Sequence, residues 1–127
     1  MKLSRAQQQA GGPGPASTLI AHSDPAISRA LRFIHSRYAE DFDIGVLARE
    51  AGVSRTILGE RFARLLGQPP MRYCLHWRLQ KAADMLLQGS SAGQAAFAVG
   101  FHSEAAFSRA FKRHYGRPPI NWRRTAQ

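Results

Sequence analysis

The chain of 127 residues is long enough for one compact domain with its own core and short for a comfortable second one. Hydrophobic residues make up 44% of it without any run near the ~20 apolar residues of a membrane span, and one cysteine forms no internal disulfide, so a membrane-spanning protein and a disulfide scaffold are excluded. Eighteen Lys and Arg against eight Asp and Glu give a net charge of +10, and thirteen of those basic residues but only four of the acidic ones lie from Arg49 onward, which points to an anionic partner for the C-terminal two thirds. Composition alone leaves DNA, RNA and anionic lipid open.

Residues 1–22 mix Gln, Gly, Pro and Ser without periodicity, and Gly11-Gly12-Pro13-Gly14-Pro15 opposes helix and strand, so a disordered leader or linker stub is expected there. The opening fifteen residues lack the apolar core of a secretory signal, which with the lone thiol suggests a reducing cytoplasm. A helix is expected from Ser23 or Asp24 to about Tyr38, with Pro25 in its first turn and Ile27, Ala30, Leu31 and Ile34 at helical spacing. Asp43 is placed to cap a short helix that buries Val46 and Leu47 and stops at Gly52. Ser54 caps the next, whose apolar positions are Ile57, Leu58, Phe62 and Leu65, and Gly67 ends it.

Pro69-Pro70 introduces the longest helix, to about Leu87 and roughly 25 Å long, with an apolar face that includes Tyr73, Cys74, Trp77 and Leu79. Gly89-Ser90-Ser91 breaks it, and a small-residue helix follows from Ala92 to Val99. After the turn Gly100-Phe101-His102, Ser103 caps a last long helix carrying Phe107, Phe111 and Tyr115, closed by Gly116 and Pro118-Pro119, with a short helical turn around Asn121 to Arg124. No sustained period-two run is present, so the fold is expected to be all-α, with about seven helices.

The chain repeats itself. Gly52-Val53-Ser54 through Phe62 to Gly67-Gln68-Pro69-Pro70 is echoed by Gly100-Phe101-His102-Ser103 through Phe111 to Gly116-Arg117-Pro118-Pro119. The turn glycines are 48 residues apart and the closing glycines 49, so the second copy holds one extra turn residue, His102. Each copy reads short helix, glycine turn, Ser cap, long helix, which is the helix-turn-helix pattern, whose second helix enters the DNA major groove while the first crosses the backbone. Two such units, at about 43–66 and 91–115 and joined by the helix at about 70–87, suit successive major-groove segments on one face of a duplex.

With these residues in view, the stretch from Asp24 to Arg124 resembles the C-terminal DNA-binding domain of the AraC/XylS family of bacterial transcription regulators. The most specific part runs from Val99 to Gly116 with Pro118-Pro119, supported by Leu47-Ala48, Ala51 to Arg55, Phe62, Gly67, Pro70, Tyr73, Arg78, Ala82-Ala83 and Leu86-Leu87. The resemblance implies sequence-specific duplex binding, with RNA polymerase as the common protein partner, no cofactor, a monomeric isolated domain and a cytoplasmic, nucleoid-associated location. By position it implies base contacts from Thr56, Gly59 and Glu60 on the first recognition helix and from Glu104, Ala105 and Arg109 on the second. Arg55, Arg78, Ser108, Lys112 and Arg113 fall at positions suited to phosphates. A bidentate Arg109 on a guanine O6/N7 edge is the strongest of these, and Glu104 suits a cytosine N4 amine.

The chain departs from the family pattern in three places. Gly59 and Glu60 stand where a longer polar residue and an arginine are common, so the first unit is expected to read DNA weakly or differently, with Glu60 pairing either with a cytosine amine or with Arg64 at i+4. Ala92-Gly93-Gln94-Ala95 replaces branched apolar residues, from which a loose helix is expected. A Gly/Pro leader stands where a sensing domain usually precedes, so the chain reads as an excised domain or a stand-alone regulator. Phe62 and Phe111, at matched places, read as core; Cys74 reads as a structural thiol and the five histidines show no ligand spacing, so neither an enzyme nor a metal site is expected. Two rivals stand beside the specific regulator: a charge-driven, non-specific nucleic-acid binder, and a module that chiefly contacts polymerase.

Overall fold

The structure, a computed structural model, describes residues 23–126. The expected leader, residues 1–22, lies outside them. The described residues form seven helices and no strand: α1 (Pro25–Arg37), α2 (Ile44–Ala51), α3 (Arg55–Leu66), α4 (Pro70–Leu87), α5 (Ala92–Ala98), α6 (Glu104–Tyr115) and α7 (Pro119–Ala126). The single domain expected from length divides, within α4, into two compact units, one ending at Leu75 and the other running from His76.

In the first unit, Asp24 caps α1 by accepting from the Ala26 and Ile27 amides, and Pro25 occupies the first turn, where its missing N–H costs nothing. The apolar stripe of α1, Ala26, Ile27, Ala30, Leu31 and Ile34, is buried, and α1 packs on both α2 and α3. Leu47, Ala48 and Ala51 from α2, Leu58 and Phe62 from α3, and Tyr73 and Cys74 complete this core; Val46, expected inside, is half-buried. Two polar ties reinforce it. Arg29 donates from Nε and Nη2 to the Ala51 carbonyl at 3.2 and 2.6 Å, satisfying an orphan acceptor at the end of α2, and His35 Nε2 shares a 2.6 Å hydrogen bond with the Tyr73 hydroxyl.

In the second unit, Leu79, Ala82, Ala83 and Leu86 of α4 are buried, as are Ala92, Ala95, Ala96 and Val99 at α5, Phe107 and Phe111 of α6, and Trp122 of α7. Helix α5, expected to be loose, starts with a reciprocal capping box: Ser91 Oγ accepts from the Gln94 amide at 3.1 Å, and Gln94 Oε1 accepts from the Ser91 amide at 2.9 Å. The polar residue that departs from the family pattern thus supplies the helix with its start. Helix α7 exceeds the short turn expected because Pro119 stands at its first position, and Arg123 Nη1 donates to the Ser90 carbonyl at 3.0 Å.

Burial raises the Tyr115 phenol, with the charge of Asp84 on α4 adding to it, and burial pushes the Asp84 carboxyl itself up, with Lys81 opposing. A carboxyl raised in the folded state favours folding when protonated, and that contribution is lost as pH rises through its folded value. Asp84→Asn is therefore expected to raise the melting temperature at pH 7 and to lose this advantage in acid, as thermal melts across the acid range would record.

Candidate nucleic-acid interface

Helices α3 and α6 are built alike from their caps inward, which fixes the residues each leaves on its surface. Ser54, in extended conformation, accepts from the Ile57 amide at 3.1 Å and starts α3; Leu58 and Phe62, four residues apart, are buried. Burial of that face leaves Thr56, Glu60, Ala63 and Arg64 exposed, with Gly59 half-buried. Ser103 accepts from the Ala106 amide at 3.1 Å and starts α6; Phe107 and Phe111 are buried, leaving Glu104, Ala105, Arg109, Lys112 and Arg113 exposed and Ser108 half-buried. Each helix ends at a left-handed glycine, Gly67 at φ 77° and Gly116 at φ 87°, a conformation that a side chain would strain. Removing the Ser103 hydroxyl leaves the Ala106 amide without its cap, so Ser103→Ala is expected to cost about 1 kcal/mol of stability, read by urea denaturation.

The structure thus brings Thr56 and Glu60 onto one exposed face of α3, and Ala105, Arg109, Lys112 and Arg113 onto α6. Arg78 is half-buried on α4. The i+4 pairing considered for Glu60 is not formed: both Glu60 and Arg64 are exposed, and the ion pairs seen among the described residues include Arg37–Glu40 and Arg61–Asp24 instead. Lys112 and Arg113 in the last turn of α6 place positive charge where the helix dipole is negative.

Repeat symmetry exposes a charge exchange. At a spacing of 49 residues, Arg55 in α3 corresponds to Glu104 in α6, and Glu60 corresponds to Arg109. Arg55 and Glu104 are each the first residue of their helix, and each lies against a glycine in the second position of the preceding helix. A Cβ built on Gly45 would come within 2.7 Å of an Arg55 Nη2 and 3.2 Å of Asp43 Oδ1; one built on Gly93 would come within 3.0 Å of Glu104 Oε1. Asp43, which caps α2, has its carboxyl held below the usual range mainly by the Val46 amide, with Arg55 among the contributing charges.

A profile of the helix-turn-helix domain matches residues 47–125. The solved AraC-type DNA-binding-domain protein from Chromobacterium violaceum superposes with a TM-score of 0.76 at 31% identity, over 84% of this chain and 96% of that one. The chain belongs to the AraC-type helix-turn-helix family. A Streptomyces lividans protein that carries the name of an AraC-like transcription regulator is 39% identical over 84% of this chain, and this AraC-type domain spans only 35% of that relative's length. The DNA-binding domain of AdpA, described as a global transcriptional factor and solved in complex with a target DNA, matches with a TM-score of 0.70 at 30% identity, over 80% of this chain and 92% of that one.

Two residues of the AraC-type domain escaped sequence reasoning, Gly45 and Gly93. Gly93 drew notice only within a segment that replaces branched apolar residues, and Gly45 drew none. The available signal was their separation of 48 residues, the same as that of the turn glycines, which marks them as one position of the repeat. Among the described residues, no helix is long and apolar enough to cross a membrane.

Proposed function

We propose that this AraC-type domain is the duplex-reading part of a bacterial transcription regulator and acts in the cytoplasm on promoter DNA. Helices α3 and α6 enter successive major-groove segments, led by their first turns, while α2 and α5 cross the backbone. The observation that carries this reading is the duplicated unit itself: two Ser-capped helices, each buried through a Phe/Leu or Phe/Phe pair, with polar faces left exposed at matched positions. The complex of AdpA with its target DNA lends it support.

On this reading Thr56, Glu60, Ala105 and Arg109 face the bases, and Arg55, Arg78, Ser108, Lys112 and Arg113 hold phosphates. The isolated domain binds as a monomer, because two units on one chain do the work of a symmetric pair, and the parent regulator engages RNA polymerase. The net charge of +10 favours one rival, a charge-driven binder indifferent to sequence.

Selection from a randomised duplex library at near-physiological salt separates the two. Two enriched blocks about one helical turn apart are expected if both units read. A single block would assign reading to one unit, and tight binding without enrichment would leave only the charge-driven reading.

A further inference from the structure

The exchanged charges at the start of α3 and α6 have a position that base reading does not explain. A residue that reads a base edge extends from the recognition helix into the groove, whereas the Glu104 carboxylate rests on Gly93, in the first turn of α5, the helix that crosses the DNA backbone in a helix-turn-helix. Arg55 does the same on Gly45 of α2. The missing side chain at each glycine makes the recess, so four residues in two matched pairs build one device twice, with opposite signs.

We propose that Glu104 reads no base and that Arg55 and Glu104 instead set how firmly each unit grips the DNA backbone: Arg55 strengthens the grip of the first unit, and Glu104 loosens that of the second. The inference rests on the duplex-binding reading above. Its physical basis is the sign of the charge beside the phosphates. A guanidinium at the junction of α2 and α3 attracts them and releases a counterion, while a carboxylate at the junction of α5 and α6 repels them whatever the sequence. The second unit then leans on Arg109, and the first, with Glu60 at the corresponding place, leans on its backbone contact.

Fluorescence anisotropy with the purified chain tests this on three kinds of duplex: the best selected site, its single-base-pair variants and a scrambled sequence, each at several salt concentrations. Glu104→Gln keeps the shape and removes the charge. It is expected to tighten binding to all of these duplexes by one common factor, about threefold or more at low salt, that shrinks as salt screens the repulsion. Arg55→Gln is expected to weaken all of them alike and to reduce the salt slope by about 0.9.

Gly93→Ala checks the contact, because its methyl would meet Glu104 Oε1 at 3.0 Å and the carboxylate must shift to make room. It is expected to change affinity in the parent chain and to leave Glu104→Gln unchanged, while alanine in the helix keeps the melting temperature at or above that of the parent. A Glu104→Gln effect confined to one base pair overturns the proposal in favour of base reading, and an equal Gly93→Ala effect in both backgrounds overturns it by showing that the glycine contact does not act through the carboxylate. A parent chain that binds no duplex overturns the functional reading itself, whereas binding without sequence preference removes only specificity and leaves the common factor to decide the role of Glu104.

Discussion

Phe111→Ala is expected to lower the unfolding free energy by about 3–5 kcal/mol, the usual cost of deleting a fully buried ring and leaving a cavity. Phe111 is 0% exposed and meets Phe107, Tyr115 and Trp122 with ring centroids at 5.5, 4.5 and 5.3 Å, so its removal strips the common neighbour from three aromatic rings. Domains of this size are stable by only about 5–15 kcal/mol, so the variant sits near the edge of folding. Urea denaturation followed by circular dichroism and by tryptophan emission measures the loss. Phe111→Leu, which keeps most of the volume, is expected to retain a larger share of stability than Phe111→Ala. A loss below about 1 kcal/mol in Phe111→Ala would mean that the α6–α7 core is not held together by this ring. Phe62, equally buried and 5.3 Å from the Tyr73 ring, occupies the matching place in the first unit.

Arg109→Ala is expected to weaken binding to the preferred duplex by about 1–3 kcal/mol, or roughly 5- to 150-fold, and to relax preference at one base pair. Arg109 is exposed on α6, one helical turn beyond Ala105 and one before Arg113, and makes no ion pair or hydrogen bond among the described residues. Its five donors are therefore available to a guanine edge without breaking an internal partner. Arg109→Lys is expected to recover part of the affinity but little of the preference, because a point charge lacks the bidentate fork. Competition titrations against single-base-pair variants decide the matter. A loss of equal size on every sequence would make Arg109 a phosphate contact. On one duplex panel Arg109→Ala and Glu104→Gln are expected to act in opposite ways, the first by a loss at one base pair and the second by a uniform gain.

Much of this was legible in the chain before any coordinates. Asp24, Asp43, Ser54 and Ser103 cap the helices that their residue types announce, and Gly52, Gly67 and Gly116 close helices in the left-handed conformation. Such signals survive because a cap or a left-handed turn is a local matter, decided within four residues by one side chain and the nearest backbone amides. Apolar spacing identified Leu58, Phe62, Phe107 and Phe111 as core for a similar reason: burial needs a face, and a helix makes faces at a fixed period. What the missing branched apolar residues at the start of α5 did not reveal is its cap: Gln94 works through its side chain as the far half of a capping box.

By itself, then, the sequence determined an all-α chain with a duplicated helix-turn-helix, the helix boundaries up to α6, the core aromatics and most of the faces left to solvent. All of these follow from local capping chemistry and from periodicity. Only the tertiary structure decided where the long polar side chains go. It put Arg29 on the Ala51 carbonyl, left Glu60 apart from Arg64, and laid Arg55 and Glu104 on two glycines of neighbouring helices. A flexible side chain with several rotatable bonds takes its direction from whatever recess, acceptor or charge the packed helices bring within reach, and those neighbours are as much as 22 residues distant along the chain.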